Sequence, residues 1–192
     1  MSIKIKQKPS TVEKVWQTEA GFKAAVVLVR GQHRCGYVAV GPEHPLHGLS
    51  YSESTPYLAD VSDEEGLGKR SPIIMFAVSG RDSMRSMDIA FDVHGGVTFA
   101  DTWARPDDGK ERETDQLDTG DWWIGFDCAH SGDGSYPPED EDGNILGYPY
   151  HFSDGPVREL DYVVAECESL AMQIKTKCLA ERKLIGNEGE GE

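Results

Sequence analysis

Apolar residues in this chain recur with a period of two in several short runs and with a helical period in one long run near the C terminus, which predicts strands followed by a helix. Lys23–Val29 is a nearly continuous apolar run, Gly31-Gln32 is a turn, and Arg34–Val40 is the return strand of a hairpin. In Asp121–Asp133, Trp122, Ile124, Phe126, Cys128 and His130 fall on one side of an extended strand and Trp123, Gly125, Asp127 and Ala129 on the other. The first side is apolar as far as Cys128, so the reading places Trp122, Ile124 and Phe126 in the core and starts a turn at Ser131-Gly132-Asp133. Met87, Ile89, Phe91 and Val93 also alternate and predict a strand; His94-Gly95-Gly96 then breaks it before an extended piece ending at Ala100. Pro72–Val78 is apolar enough for another strand or for insertion material lying on the core. From Asp154, taken as a helix cap, Val157, Leu160, Val163, Val164, Cys167, Leu170, Ala171, Ile174 and Cys178 recur at three and four and predict one amphipathic helix across the sheet. The expected class is α+β, an antiparallel sheet packed by a long C-terminal helix, with one domain over 1–184 and a disordered Glu/Gly tail over 185–192.

The segments between these runs read as loops. Residues 1–9 alternate isoleucine with lysine, which suits a short edge strand or a mobile arm ended by Pro9. Ser10 and Glu13 have capping-box spacing, but the following sequence is too short for a long helix, leaving one turn or an extended segment. Residues 41–51 form a proline-restricted loop, 52–71 and 101–121 are acidic and solvated, and 134–149, with Pro137-Pro138 and Glu139–Asp142, cannot hold a core element.

Charge changes the picture more than composition does. The net charge is −15, yet residues 1–40 carry seven lysines and arginines against Glu13 and Glu19, a balance of +5, so the rest of the chain must sum to −20. Such a surface repels nucleic acid and anionic membrane and attracts basic partners, although net charge also serves plain solubility. The N terminus lacks a signal-like apolar run, and no stretch approaches the length that spans a bilayer, so a cytoplasmic setting without membrane contact is expected. Cysteines 35, 128, 167 and 178 lack disulfide or zinc-knuckle spacing and default to buried thiols. Cys167 and Cys178 share the buried helix face three turns apart, too far for a disulfide.

Candidate chemistry gathers at histidine–glycine pairs. His47-Gly48, His94-Gly95 and His130-Ser131-Gly132 each end an extended segment, so strand ends could bring His47, His94, Cys128 and His130 to one rim with Asp133 beside them. Imidazole and thiolate suit zinc, and Asp133 would then be the base of a metal-dependent hydrolase or nucleotide-handling enzyme. The spacing matches no standard knuckle. The plainer reading, in which each histidine bonds backbone groups left open by its glycine turn and the tryptophans mark a core, carries more weight, so no cofactor is expected. A small-molecule pocket built on the aromatic strand is a further alternative, but there is no phosphate-cradling P-loop or GxGxxG run. Cys128 activated by His130 has no third orienting group, and neither Ser79-Gly80 nor Ser131-Gly132 lies in a nucleophile elbow.

Cys35-Gly36-Tyr37-Val38, His44-Pro45-Leu46-His47-Gly48, His94–Phe99 and the Trp122–Asp133 motif, followed by a C-terminal helix, resemble a family of small bacteriophage and prophage proteins over most of residues 16–175. That resemblance carries no catalytic role for any residue; it implies a phage accessory protein of the kind that blocks host defences. The expected function is therefore an acidic inhibitor of a basic host protein, such as a CRISPR effector, acting in the host cytosol without itself binding nucleic acid. Its contact residues would be Asp107, Asp108, Glu111, Glu139, Asp140, Glu141 and Asp142, standing in for phosphates, with Trp122, Trp123, Asp127 and Asp133 at the aromatic strand.

Overall fold

The computed structural model describes residues 4–58, 85–103, 110–147 and 155–187. The expected strand at Pro72–Val78, the helix cap at Asp154 and the acidic pair Asp107 and Asp108 lie outside them, as does much of the 52–71 loop. Among the described residues, five strands, β1 (Thr11–Gln17), β2 (Lys23–Val29), β3 (His33–Val40), β4 (Phe99–Thr102) and β5 (Trp122–Asp127), form one antiparallel sheet in the order β1-β2-β3-β5-β4. Among the described residues, the α-helices are the four-residue α1 (Met87–Ala90) and the 28-residue α2 (Leu160–Asn187), with 3-10 turns at Pro56–Leu58 and Glu113–Leu117. Of these, α2 is the long one, and it covers one face of the sheet. The α+β class read from the apolar pattern is the observed one.

The hairpin forms where the pattern puts it, with Val26 opposite Gly36 and Ala24 opposite Val38. The capping-box spacing at Ser10 starts a strand instead: Glu13 sits at a β1 irregularity between Val12 and Lys14, and its carboxylate accepts from the Arg34 guanidinium at 2.7 Å. β5 runs between β3 and β4, pairing Ile124 with Val38 and with Ala100. On the α2 side, Val26, Val38, Ile124 and Phe126 pack against Val163, Cys167, Leu170, Ala171 and Ile174. A side chain at Gly36 would start 2.5 Å from the Phe126 ring and 2.7 Å from the Cys167 sulfur, so the absence of a Cβ sets how closely the helix approaches.

The structure corrects three expectations. Met87–Val93 is not a strand: Met87, Ala90 and Phe91 are buried at helical spacing around α1, while Ile89 is only half-buried. Its backbone pairs with α2 side chains rather than with a neighbouring strand. Gln173 accepts from Asp92 N–H at 2.8 Å and donates to Asp92 C=O at 2.7 Å, Lys177 donates to Ala90 C=O, and Glu166 accepts from His94 N–H at 2.9 Å. The second side of β5 is covered as well, with Trp123 fully buried among Ala25, Val27, Cys35, Tyr37, Ala39 and Leu117. Part of the cover there is the Glu113–Leu117 turn, set in what reads as a solvated loop, and Trp123 Nε1 donates to Leu117 C=O at 3.1 Å. Val157 precedes the helix and bridges Gly134 in parallel, while α2 extends to Asn187, three residues into the stretch read as tail.

Candidate functional site

The end of β5 carries a dense group of ionisable side chains centred on Asp133. The turn that follows the strand closes through Asp133 N–H to His130 C=O, and Asp133 Oδ2 accepts in return from His130 N–H at 3.0 Å. The same oxygen lies 2.8 Å from His94 Nε2, and Oδ1 accepts from Arg158 Nε at 2.8 Å. The Asp133 side chain is only 3% exposed, so each of its lone pairs must be met inside the protein. Burial alone would push its carboxyl up; the hydrogen bonds from His94, Arg158 and His130 N–H outweigh that and hold it below the ordinary carboxylate range.

His94 is used at both ring nitrogens. With Nε2 paired to Asp133, Nδ1 lies 3.0 Å from the Tyr162 hydroxyl, and the Tyr162 ring meets the imidazole edge-on at 5.6 Å. Burial, and next the charge of Glu166, push the Tyr162 hydroxyl above its ordinary range, so it stays a phenol beside the imidazole. Arg158 lies over the same Tyr162 ring at 5.1 Å. The set joins the His94-Gly95 turn, the turn after β5, the approach to α2 and the first turn of α2 itself. Every partner inside it is internal, which is the geometry of a clamp between chain segments.

His130 packs beside this set, its ring 5.8 Å from that of His94 and directly against Gly95, where a side chain would collide with the imidazole. Gly95, at φ 67°, takes a turn conformation and a close contact that only glycine supplies together. His130 Nε2 is buried, makes no hydrogen bond, and lies 3.7 Å from Asp127 Oδ1. Asp127 is itself occupied, accepting from the Thr98 hydroxyl at 3.0 Å and from Ala129 N–H at 3.1 Å. Beneath the turn the Cys128 thiol is buried and pushed up to about 12, first by desolvation and then by the charge of Asp133, so it is not a nucleophile poised by His130. An open cleft of about 670 Å³ flanks the turn, bordered by His33, His130, Ser131 and Ser135.

Of the four residues read as metal ligands, His94, His130 and Cys128 gather with Asp133 near this end of β5. His47 does not: its ring lies 5.8 Å from that of Trp122, at the strand's other end, about 17 Å away for five residues of extended chain. The common rim for all three histidine–glycine pairs is thus corrected to a pair, although glycines 48, 95 and 132 all take the positive φ that the pattern implied. Among the described residues, no group of three or more His, Cys, Asp or Glu side chains is arranged to hold a metal ion.

The expected binding residues divide in the same way. Trp123 is enclosed and Trp122 is half-buried, its Nε1 donating to Leu49 C=O at 3.1 Å, so neither ring is presented for stacking. Asp133 is inside the clamp rather than on the surface. Glu139 is engaged by Lys8 at 2.8 Å and by Lys6 at 3.9 Å, and Asp140 accepts from Asp142 N–H and Asn144 N–H within its own turn. Glu111, Glu141 and Asp142 are exposed. Sequence reasoning missed Arg158 and Tyr162, which complete the clamp; their signal was position, one just before the helix and one on its first turn, beside a histidine and a carboxylate needing partners. Among the described residues, no helix is long and apolar enough to cross a membrane. No family model, curated protein or solved structure matches this chain.

Proposed function

We propose that the protein acts by binding a basic macromolecular partner rather than by catalysis. The observation that carries this reading is the charge, −15 over 192 residues, with exposed carboxylates at Glu111, Glu113, Asp118, Glu141, Asp142 and Asp161. Long-range attraction of this kind speeds encounter with cationic surfaces and repels phosphate backbones. The ionisable cluster supports the same reading from the other side: Asp133, His94, Arg158 and Tyr162 are engaged with one another across chain segments. The resemblance to phage accessory proteins suggests the class of partner, a nucleic-acid-binding effector of host defence whose groove accepts phosphates or, in their place, carboxylates. The experiment is competition. Duplex DNA and this protein should exclude one another from such an effector in a gel-shift titration at low salt, and a ternary complex of all three would refute the reading.

A further inference from the structure

The turn from Pro138 to Leu146 is ordered by its own bonds. Asp140 N–H donates to Asn144 C=O at 3.0 Å, Leu146 N–H to Pro138 C=O at 2.8 Å, and the N-terminal arm adds Lys6 N–H to Glu139 C=O at 2.8 Å. Yet this turn presents Ile145 at 71% exposure, the most exposed large apolar side chain among the described residues, while the adjacent Leu146 is buried. A single exposed isoleucine is ordinary on a protein surface. Ile145 differs because it lines an open groove of about 490 Å³ together with Pro9, Leu28, Tyr136 and Pro137. An apolar anchor held on an ordered backbone loses little conformational freedom when a partner covers it, and that is the character of an interface hot spot.

Charge identifies the occupant. Lys8 and Glu139 both line the groove and pair with each other at 2.8 Å, while Glu141 and Asp142, just after Glu139 in the same turn, are exposed and their side chains have no ion pair or hydrogen bond among the described residues. We infer that Ile145 and this groove receive a protein segment in which lysine or arginine flanks a large aliphatic or aromatic side chain. The flanking cations meet Glu141 and Asp142 while the apolar side chain lies against Ile145, Leu28 and Pro137. Nucleic acid offers the wrong charge, and a second copy would bring the same two carboxylates to a shared contact between molecules that each carry −15. This inference rests on the binding function proposed above and names its contact.

Three short synthetic peptides of equal length test it by fluorescence anisotropy at low salt: lysine with serine, lysine with leucine and phenylalanine, and serine with leucine and phenylalanine. The full-length protein should bind the lysine–apolar peptide about tenfold more tightly than the lysine–serine peptide, the increment expected from covering part of one isoleucine. Ile145→Ser should abolish that advantage and leave lysine–serine binding unchanged, with thermal unfolding as in the parent because the side chain is outside the core. Glu141→Gln with Asp142→Asn should weaken both lysine peptides alike. If Ile145→Ser keeps the tenfold preference, the groove is not the contact, although the charge-based function stands. If neither lysine peptide binds, that function falls as well. Self-association of the parent that Ile145→Ser removes would overturn the inference in favour of a second copy.

Discussion

Asp133 concentrates the chemistry of this protein into one carboxylate, and its pH response follows from its partners. Its folded-state pKa lies below the ordinary value, so the clamp contributes fully above the unfolded value of about 3.9 and is lost as pH falls through the folded value. The urea midpoint should therefore drop below about pH 4 more steeply in the parent than in Asp133→Asn, whose curve keeps only the slope of the remaining carboxylates. Parallel curves would remove the clamp from the account of stability. At neutral pH the same substitution should lower the urea midpoint, because it removes the anion that Arg158 pairs with and changes the acceptor for His94. Sequence made the site only partly legible. A histidine beside a glycine turn is readable as a strand end, and glycines 95 and 132 do take positive φ, but which strand ends meet depends on pairing across the sheet. His47 follows the same local pattern and lies beside Trp122 instead.

At the scale of elements, β5 shows both what alternation reveals and what it hides. Period two separates Ile124 and Phe126 from Trp123 and Gly125, and that separation is observed. It does not say that both faces are covered, because on the Trp123 side part of the cover is a five-residue 3-10 turn in which Leu117 is the one large apolar side chain. Trp123→Ala should therefore cost about 3–5 kcal/mol, as for a fully enclosed aromatic, and Trp122→Ala less, since Trp122 is half-buried. Equilibrium urea unfolding of the two variants checks that order, and a reversed order would mean that Trp123 is not enclosed. The Met87–Val93 segment misleads for a related reason. Its apolar residues fit period two and, with Ala90, also fit one helical turn, and the choice is made by Gln173, Glu166 and Lys177 of α2, far away in sequence. Gly36 is where strand and helix meet most tightly, so Gly36→Val should overpack the interface and cost about 1–3 kcal/mol by the same measurement.

For the molecule as a whole, the sign of the charge was plain from composition, whereas its availability was not. Glu139 is engaged by Lys6 and Lys8 of the basic N-terminal segment, Asp140 is used within its turn, and Asp133 is inside the clamp. Within the described parts of the two acidic runs, Glu141 and Asp142 remain exposed on one segment and Glu111, Glu113 and Asp118 on the other. Attraction from such a surface acts over the Debye length, which shrinks from about 10 Å at 0.1 M salt to about 3 Å at 1 M. Association with a basic partner should therefore slow by at least about tenfold across that range while dissociation changes little, since steering acts on encounter and short-range packing on release. Stopped-flow or surface-binding kinetics at several salt concentrations separates the two rates. Changing Glu141 and Asp142 to glutamine and asparagine should flatten the salt dependence of association more than the same change at Glu111 and Glu113 if the ordered turn is the contact. Equal flattening would mean that only total charge matters, and an unchanged slope would place the partner on neither segment.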